Sequence, residues 1–191
     1  MGAGEAKSLP ALGFLTVVDN PEWGLIGGYL LLNLAGRPLE FHCTAPIKPN
    51  RAQQILYGPT LEPYLYGEQV GASLVNKSGM KPLVVCTDSP PALALREHVA
   101  LPVVLVLPTE DTAEGTDGVA DLRHDAAHGR PPLPALARFR QGRNQLAIPA
   151  AHGNDREQVA SRLQSLDEAF DLAEPFTRIR EAIEEAQRGS R

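Results

Sequence analysis

The stretch PLVVCTDSPPALALREHVALPVVLVLP, residues 82–108, decides the fold. Two continuous Val/Leu runs, PLVVCTD and LPVVLVL, flank a segment that opens on Pro90 and Pro91 and continues as ALALRE. A strand that is apolar at every position is buried on both faces, which is the mark of a parallel sheet. Paired prolines suit the first turn of a helix, where no intrahelical N–H is needed. The spacing therefore predicts a parallel β-α-β unit over 82–107.

Upstream, GFLTVVD (13–19) reads as a strand, and 26–34 and 38–44 as two more joined through LAGRP, with Gly36 free to take positive φ. These form an N-terminal antiparallel hairpin. In LEFHCT the period of two puts Glu40, His42 and Thr44 on one face and Leu39, Phe41 and Cys43 on the other. His42 and Cys43 thus cannot share a metal on a regular strand. Residues 46–79 read as two helices broken at Gly58-Pro59, with Asn50 and Thr60 as N-caps and Gly79 as a stop. Leu61, Tyr64, Leu65, Leu74 and Val75 make the apolar side of the second helix. Gly67 and Gly71, four apart, permit close packing at a cost of roughly 1 kcal/mol each relative to Ala.

After Pro108 the composition changes. TEDTAEGTDGVAD carries five acidic residues and no basic one, and a Pro-rich GRPPLP follows. NQLAIPA reads as one more strand, NDREQVASRLQSL as a well-capped helix, and EPFTRIREAIEEAQRG as a helix with Phe176, Ile179, Ile183 and Ala186 in a narrow apolar stripe. The expected architecture is α/β: a mixed β-sheet with an N-terminal antiparallel hairpin and a short parallel β-α-β unit, packed by helices, with a C-terminal helical segment. The divisions are an α/β core at 10–107, an acidic to Pro-rich loop or insertion at 108–134, and a last strand with C-terminal helices at 135–189 packing on the core.

Bulk properties exclude several classes. With 191 residues and 43% hydrophobic content a sizeable core is available. The formal charge of −5 disfavours a general nucleic-acid binder. The basic stretch around Arg130, Arg138, Arg140, Arg143 and Phe139 is open to phosphate and base contacts, to pairing with the acidic segment, or to plain solvation. Two cysteines, Cys43 and Cys86, with no CxxC pair, point to a reducing compartment. The start MGAGEAKSLPALGF shows no secretory signal, and GLIGGYLLLNLAG is too short to span a bilayer. The expectation is a cytoplasmic protein with no membrane segment.

Four groups of residues bear on function. His124 and His128 are four apart with Asp125 between them, so on a helix both imidazoles reach one zinc or similar divalent metal. Asp125, His152 or Asp121 would have to supply the third ligand. A zincin helix is long, however, and this one is hemmed in by Gly118 and Gly129. Second, Asp88 and Ser89 stand at the carboxyl end of a parallel strand, where open α/β sheets bind anions and nucleotides. Two of the helix-start donors are prolines there, and plain capping accounts for the same residues. Cys86 nearby sits among apolar neighbours and reads as core, not nucleophile. Third, Tyr57, Tyr64 and Tyr66 crowd into ten positions beside Glu62 and Glu68, which suits an interface; Tyr64 is expected toward the core, Tyr57 and Tyr66 toward a surface or pocket. Fourth, the Phe176/Ile179/Ile183 stripe has the spacing of a helix docked in a groove. The leading expectation is a non-catalytic module that binds a protein partner or forms a homo-oligomer through Tyr57, Tyr66, Phe176, Ile179 and Ile183. The alternatives are a metal-dependent hydrolase at His124/His128 and a small-anion or nucleotide site at Asp88–Ser89.

Overall fold

The computed structural model describes residues 10–108 and 134–189. Seven strands form one mixed sheet: β1 (Ala11–Asn20), β2 (Gly24–Asn33), β3 (Pro38–Cys43), β4 (Val85–Thr87), β5 (Val103–Leu107), β6 (Leu136–Gln141) and β7 (Asn144–Pro149). Their order across the sheet is β3-β2-β1-β4-β5-β7-β6. β4 pairs in parallel with both β1 and β5, and the remaining pairs are antiparallel. The predicted parallel unit therefore lies at the centre of the sheet, where continuous apolar runs belong.

Both parallel crossovers, β3 to β4 and β4 to β5, run the same way across the sheet. With a shared hand they place their helices on one face. That face holds α1 (Arg51–Tyr57), a 3₁₀ turn (Gly58–Thr60), then α2 (Leu61–Pro63), a wide i→i+5 helix (Tyr64–Ala72) and α3 (Ser73–Lys77) in unbroken succession, and the 3₁₀ helix Pro90–Glu97. The opposite face is covered by α4 (Asp155–Arg162) and α5 (Glu174–Arg188). Strand alternation divides the apolar residues accordingly. Leu12, Phe14, Cys86 and Val104 pack with Val159, Leu163, Ile179 and Ile183, while Leu15, Tyr29, Val85 and Leu105 pack with Leu65, Val70, Leu74 and Leu95.

The mid-strand glycines of β2 show how closely both layers approach. A Cβ on Gly27 would overlap Val70, and one on its neighbour Gly28 would overlap Ile179 on the other face. Side chains at either position would hold a helix off the sheet.

Local signals differ in how they come out. Asn50 caps α1 through a full capping box, its Oδ1 accepting from Gln53 N at 2.9 Å while Gln53 Oε1 accepts from Asn50 N at 3.0 Å. Thr60 holds the N-cap position of α2 but makes no capping bond: its hydroxyl donates to Tyr57 O at 2.8 Å, because the 3₁₀ turn already supplies helical backbone ahead of Leu61. Asn154 makes no capping bond either, and the next residue, Asp155, is buried. Part of the basic stretch, from Leu136 to Gln141, proves to be an edge strand. Leu136–Gln141 forms β6, paired to β7 through a tight turn at Gly142, whose φ is +57°.

Tyr29 carries a cost inside this core. Its side chain is fully buried and its hydroxyl has no hydrogen-bond partner among the described residues. Burial, then the nearby Cys86 thiol and Glu40 carboxylate, push its pKa up from the ordinary phenol value. An unpaired buried hydroxyl costs about 1–3 kcal/mol of desolvation, whereas a ring alone does not. Tyr29→Phe is therefore expected to stabilise the protein by about 1 kcal/mol, a rise in Tm of roughly 2–4 °C. A thermal melt showing a lower Tm would refute this.

Candidate functional site

Leu25 and Ile47 form an isolated antiparallel bridge, with N–H···O distances of 2.9 and 2.8 Å in the two directions. The bridge draws residues 47–49 against the β1–β2 turn. Gly24 makes this possible: its φ is +95°, and a Cβ there would stand 2.5 Å from Ile47 O. Between this corner and the start of the wide helix lies a cleft of about 200 Å³. Leu25, Ile47, Leu61 and Leu65 give it an apolar floor. Asp19, Lys48, Glu62 and Tyr66 supply polar groups at its walls, and Lys48 Nζ donates to Glu22 O at 2.5 Å. Runs of i→i+5 hydrogen bonds are rare and recur at functional sites; here one carries Leu65 and Tyr66 into the cleft.

α1 stands beside this cleft, since Lys48 and Pro49 precede it and Leu61 follows it closely. None of its residues is buried. Ile55 is 65% exposed and Leu56 81% exposed, the two most exposed large apolar side chains described. Tyr57 closes the helix by stacking on Tyr64, ring centroids 4.2 Å apart and planes at 21°. A hydrogen bond with Tyr64 favours the neutral Tyr57 phenol and raises its pKa, while Tyr64 Oη accepts from Gln69 Nε2 at 2.8 Å. Tyr64 is half-buried against the core, Tyr57 half-buried on the ridge, and Tyr66 lines the cleft.

The C-terminal stripe does something different from what its spacing suggested. Phe176, Ile179 and Ile183 are at most 2% exposed, packed under α5 against the sheet, with Phe176 edge-on to Phe14 at 5.7 Å. The groove it fills is the chain's own sheet, so these three side chains are core and not available surface. Ile55 and Leu56, by contrast, were missed. The signal was there: three consecutive apolar residues, Ile55 to Tyr57, in a seven-residue helix cannot all face one side.

At the carboxyl end of β4, Asp88 Oδ1 accepts from Thr16 Oγ1 at 2.6 Å and from Ser89 Oγ at 3.2 Å, and Oδ2 pairs with the Arg180 guanidinium. Asp88 thereby ties β1 and α5 to β4. Ser89 N donates to Thr87 Oγ1, Pro90 and Pro91 have no N–H, and Ala92 N donates to Ser89 O. An arriving anion would have to take Arg180 from Asp88. Cys86, two residues earlier, is fully buried, which pushes its thiol up to about 12 and makes it inert.

Three histidines each face a carboxylate. His42 Nε2 lies 3.1 Å from Glu40 Oε2, His152 Nε2 2.7 Å from Glu97 Oε1, and His98 Nε2 4.0 Å from Glu68. Hydrogen bonds from His42 and then Ser78 hold Glu40 below the usual carboxylate range, and His152 does the same for Glu97. Ser78 Oγ also donates to Glu40 Oε2, at 2.8 Å. The carboxylate, not the imidazole, thus faces the serine hydroxyl, the reverse of the order that activates a nucleophile. His42 and Cys43 register opposite Tyr29 and Gly28, which point to opposite faces of β2.

His124, Asp125 and His128, with Asp121 and Arg130, lie outside the described residues. Among the described residues no group of three or more His, Cys, Asp or Glu is placed to hold a metal, and His152 is engaged with Glu97. Arg138 and Arg140 are exposed on β6, whereas Phe139 between them is buried on the other face, with Arg156 over its ring at 5.8 Å. The arginines and the aromatic ring therefore do not share a surface.

The fold places the chain among mixed α/β proteins with helices on both faces of one sheet. The chain matches no protein-family model, no curated protein and no solved structure. No helix among the described residues is long and apolar enough to cross a membrane.

Proposed function

We propose that this chain is a non-catalytic protein-binding module of the cytoplasm, docking through the ridge of α1 and the adjoining cleft. One observation carries the reading: a fully capped helix buries none of its own residues yet presents Ile55 and Leu56 side by side at 65% and 81% exposure. Burying a Leu or Ile side chain is worth about 1.5–3 kcal/mol, a gain this fold leaves unused on α1. Single exposed apolar residues are ordinary; a ridge with an apolar cleft beside it fits a binding surface. Tyr57 and Tyr66 border it, each pairing an apolar ring with a polar tip. The unpaired, exposed Cys43 thiol supports a reducing compartment.

The test is a benzophenone photocrosslinker at position 56, with position 184 on the outer face of α5 as control, irradiated in cells. A protein adduct at 56 and none at 184 is the expected result. No adduct at 56, or equal adducts at both, overturns the reading.

A further inference from the structure

We infer that the occupant of this surface is a second copy of the chain, in a two-fold arrangement that seats Leu56 of each copy in the cleft of the other. The inference rests on the docking reading above and adds its partner. The same short segment carries both halves of the contact. The cleft holds about 200 Å³, and the four carbons of a leucine side chain displace on the order of 100 Å³. A helix is about 10 Å across, so the cleft takes a protruding side chain but not a helix. Leu56, 81% exposed, is the most exposed of the large apolar residues described.

Position and charge agree with reciprocity. Ridge and cleft are contiguous, because cleft residues lie immediately before and after α1 in the chain. A two-fold axis between two such corners satisfies both ridges and both clefts at once and closes the assembly, where a head-to-tail contact would grow without limit. Arg51 lies one turn before Ile55 on the same side of α1 and is exposed. Across the axis it meets the cleft rim, where Asp19 is an exposed carboxylate. Seven residues of helix cover far less than the roughly 800 Å² per partner of a standard stable interface. The dimer is therefore weak, with Kd on the order of 10–100 μM.

Sedimentation velocity of the full chain from about 10 μM to about 1 mM tests this. The wild type is expected to shift from monomer to dimer across that range. Leu56→Asp, a change at an exposed position, is expected to stay monomeric with an unchanged melting curve. Arg51→Glu and Asp19→Arg are each expected to weaken the dimer about tenfold, and the Arg51→Glu/Asp19→Arg double variant to restore it to within about threefold. Restoration by the charge swap is something a merely structural role would not produce. A wild type monomeric throughout, a dimer that survives Leu56→Asp, or a charge swap that fails to restore it overturns the inference. A strict monomer whose position 56 still crosslinks a different protein removes the second copy alone; the absence of any adduct removes the docking reading itself.

Discussion

Gly67→Ala is expected to destabilise the protein by about 2 kcal/mol, lowering Tm by roughly 4–8 °C, although helix propensity argues the opposite. Replacing an interior helical glycine by alanine normally gains up to about 1 kcal/mol. Here a Cβ would stand 2.7 Å from the carbonyl carbon and Cβ of Ala94 and 2.7 Å from Leu95 N. Those atoms belong to the 3₁₀ helix Pro90–Glu97, and backbone cannot rotate aside as a side chain can. The wide helix must lift instead, weakening the seat of Leu65 and Val70 on the sheet. Overpacking of this kind costs about 1–3 kcal/mol and here outweighs the propensity gain. Gly71→Ala is the control. Its Cβ would meet Leu15 Cδ2 at 3.1 Å and Tyr66 O at 3.0 Å, so a smaller loss is expected. Thermal melts of both decide: an unchanged or raised Tm for Gly67→Ala would show that the two helices are not in this contact.

What could be read beforehand follows from how local each determinant is. The parallel unit at 82–107 declared itself because burial on both faces leaves β5 wholly apolar and Thr87 the one polar position of β4. The Asn50 cap was equally legible, since its partner Gln53 is three residues away. β6 was not. It is an edge strand with Arg138 and Arg140 exposed and, of its six residues, only Phe139 buried, so arginine content masked the alternation. The wide helix was invisible because its cause is tertiary: Gly67 answers to Ala94 and Gly71 to Leu15 and Leu95, elements far away in sequence.

The site divides along the same line. Tyr66 at the cleft was foreseeable from its crowding with Tyr57 and Tyr64, but the cleft depends on the Leu25–Ile47 bridge, which no local pattern announces. The spacing of the α5 stripe gives its amphipathic character but not the surface that covers it. Periodicity says that a helix buries one side; it does not say against what.

The other large effect concerns a contact with no sequence signal, 59 residues apart. Arg96→Met is expected to cost about 3 kcal/mol at pH 7. Arg96 lies in the last turn of the 3₁₀ helix on one face of the sheet, and Asp155 begins α4 on the other. Nε donates to Asp155 Oδ2 at 2.6 Å and a terminal nitrogen to Oδ1 at 3.2 Å, while the second terminal nitrogen donates to Val99 O at 3.0 Å. The guanidinium's own pKa is raised, chiefly by the hydrogen bond to Asp155. The Asp155 side chain is only 4% exposed, against 21% for Arg96. Removing the arginine thus strands a buried carboxylate, while methionine keeps most of the apolar stem in place. Denaturant unfolding of wild type and variant at pH 7 reads the loss directly. Arg96→Met/Asp155→Leu, which removes both charges, is expected to recover most of the loss at pH 7. If the double variant recovered none of the loss, the deficit would belong to packing of the arginine stem, and the two helical layers would be joined by apolar contact and not by charge.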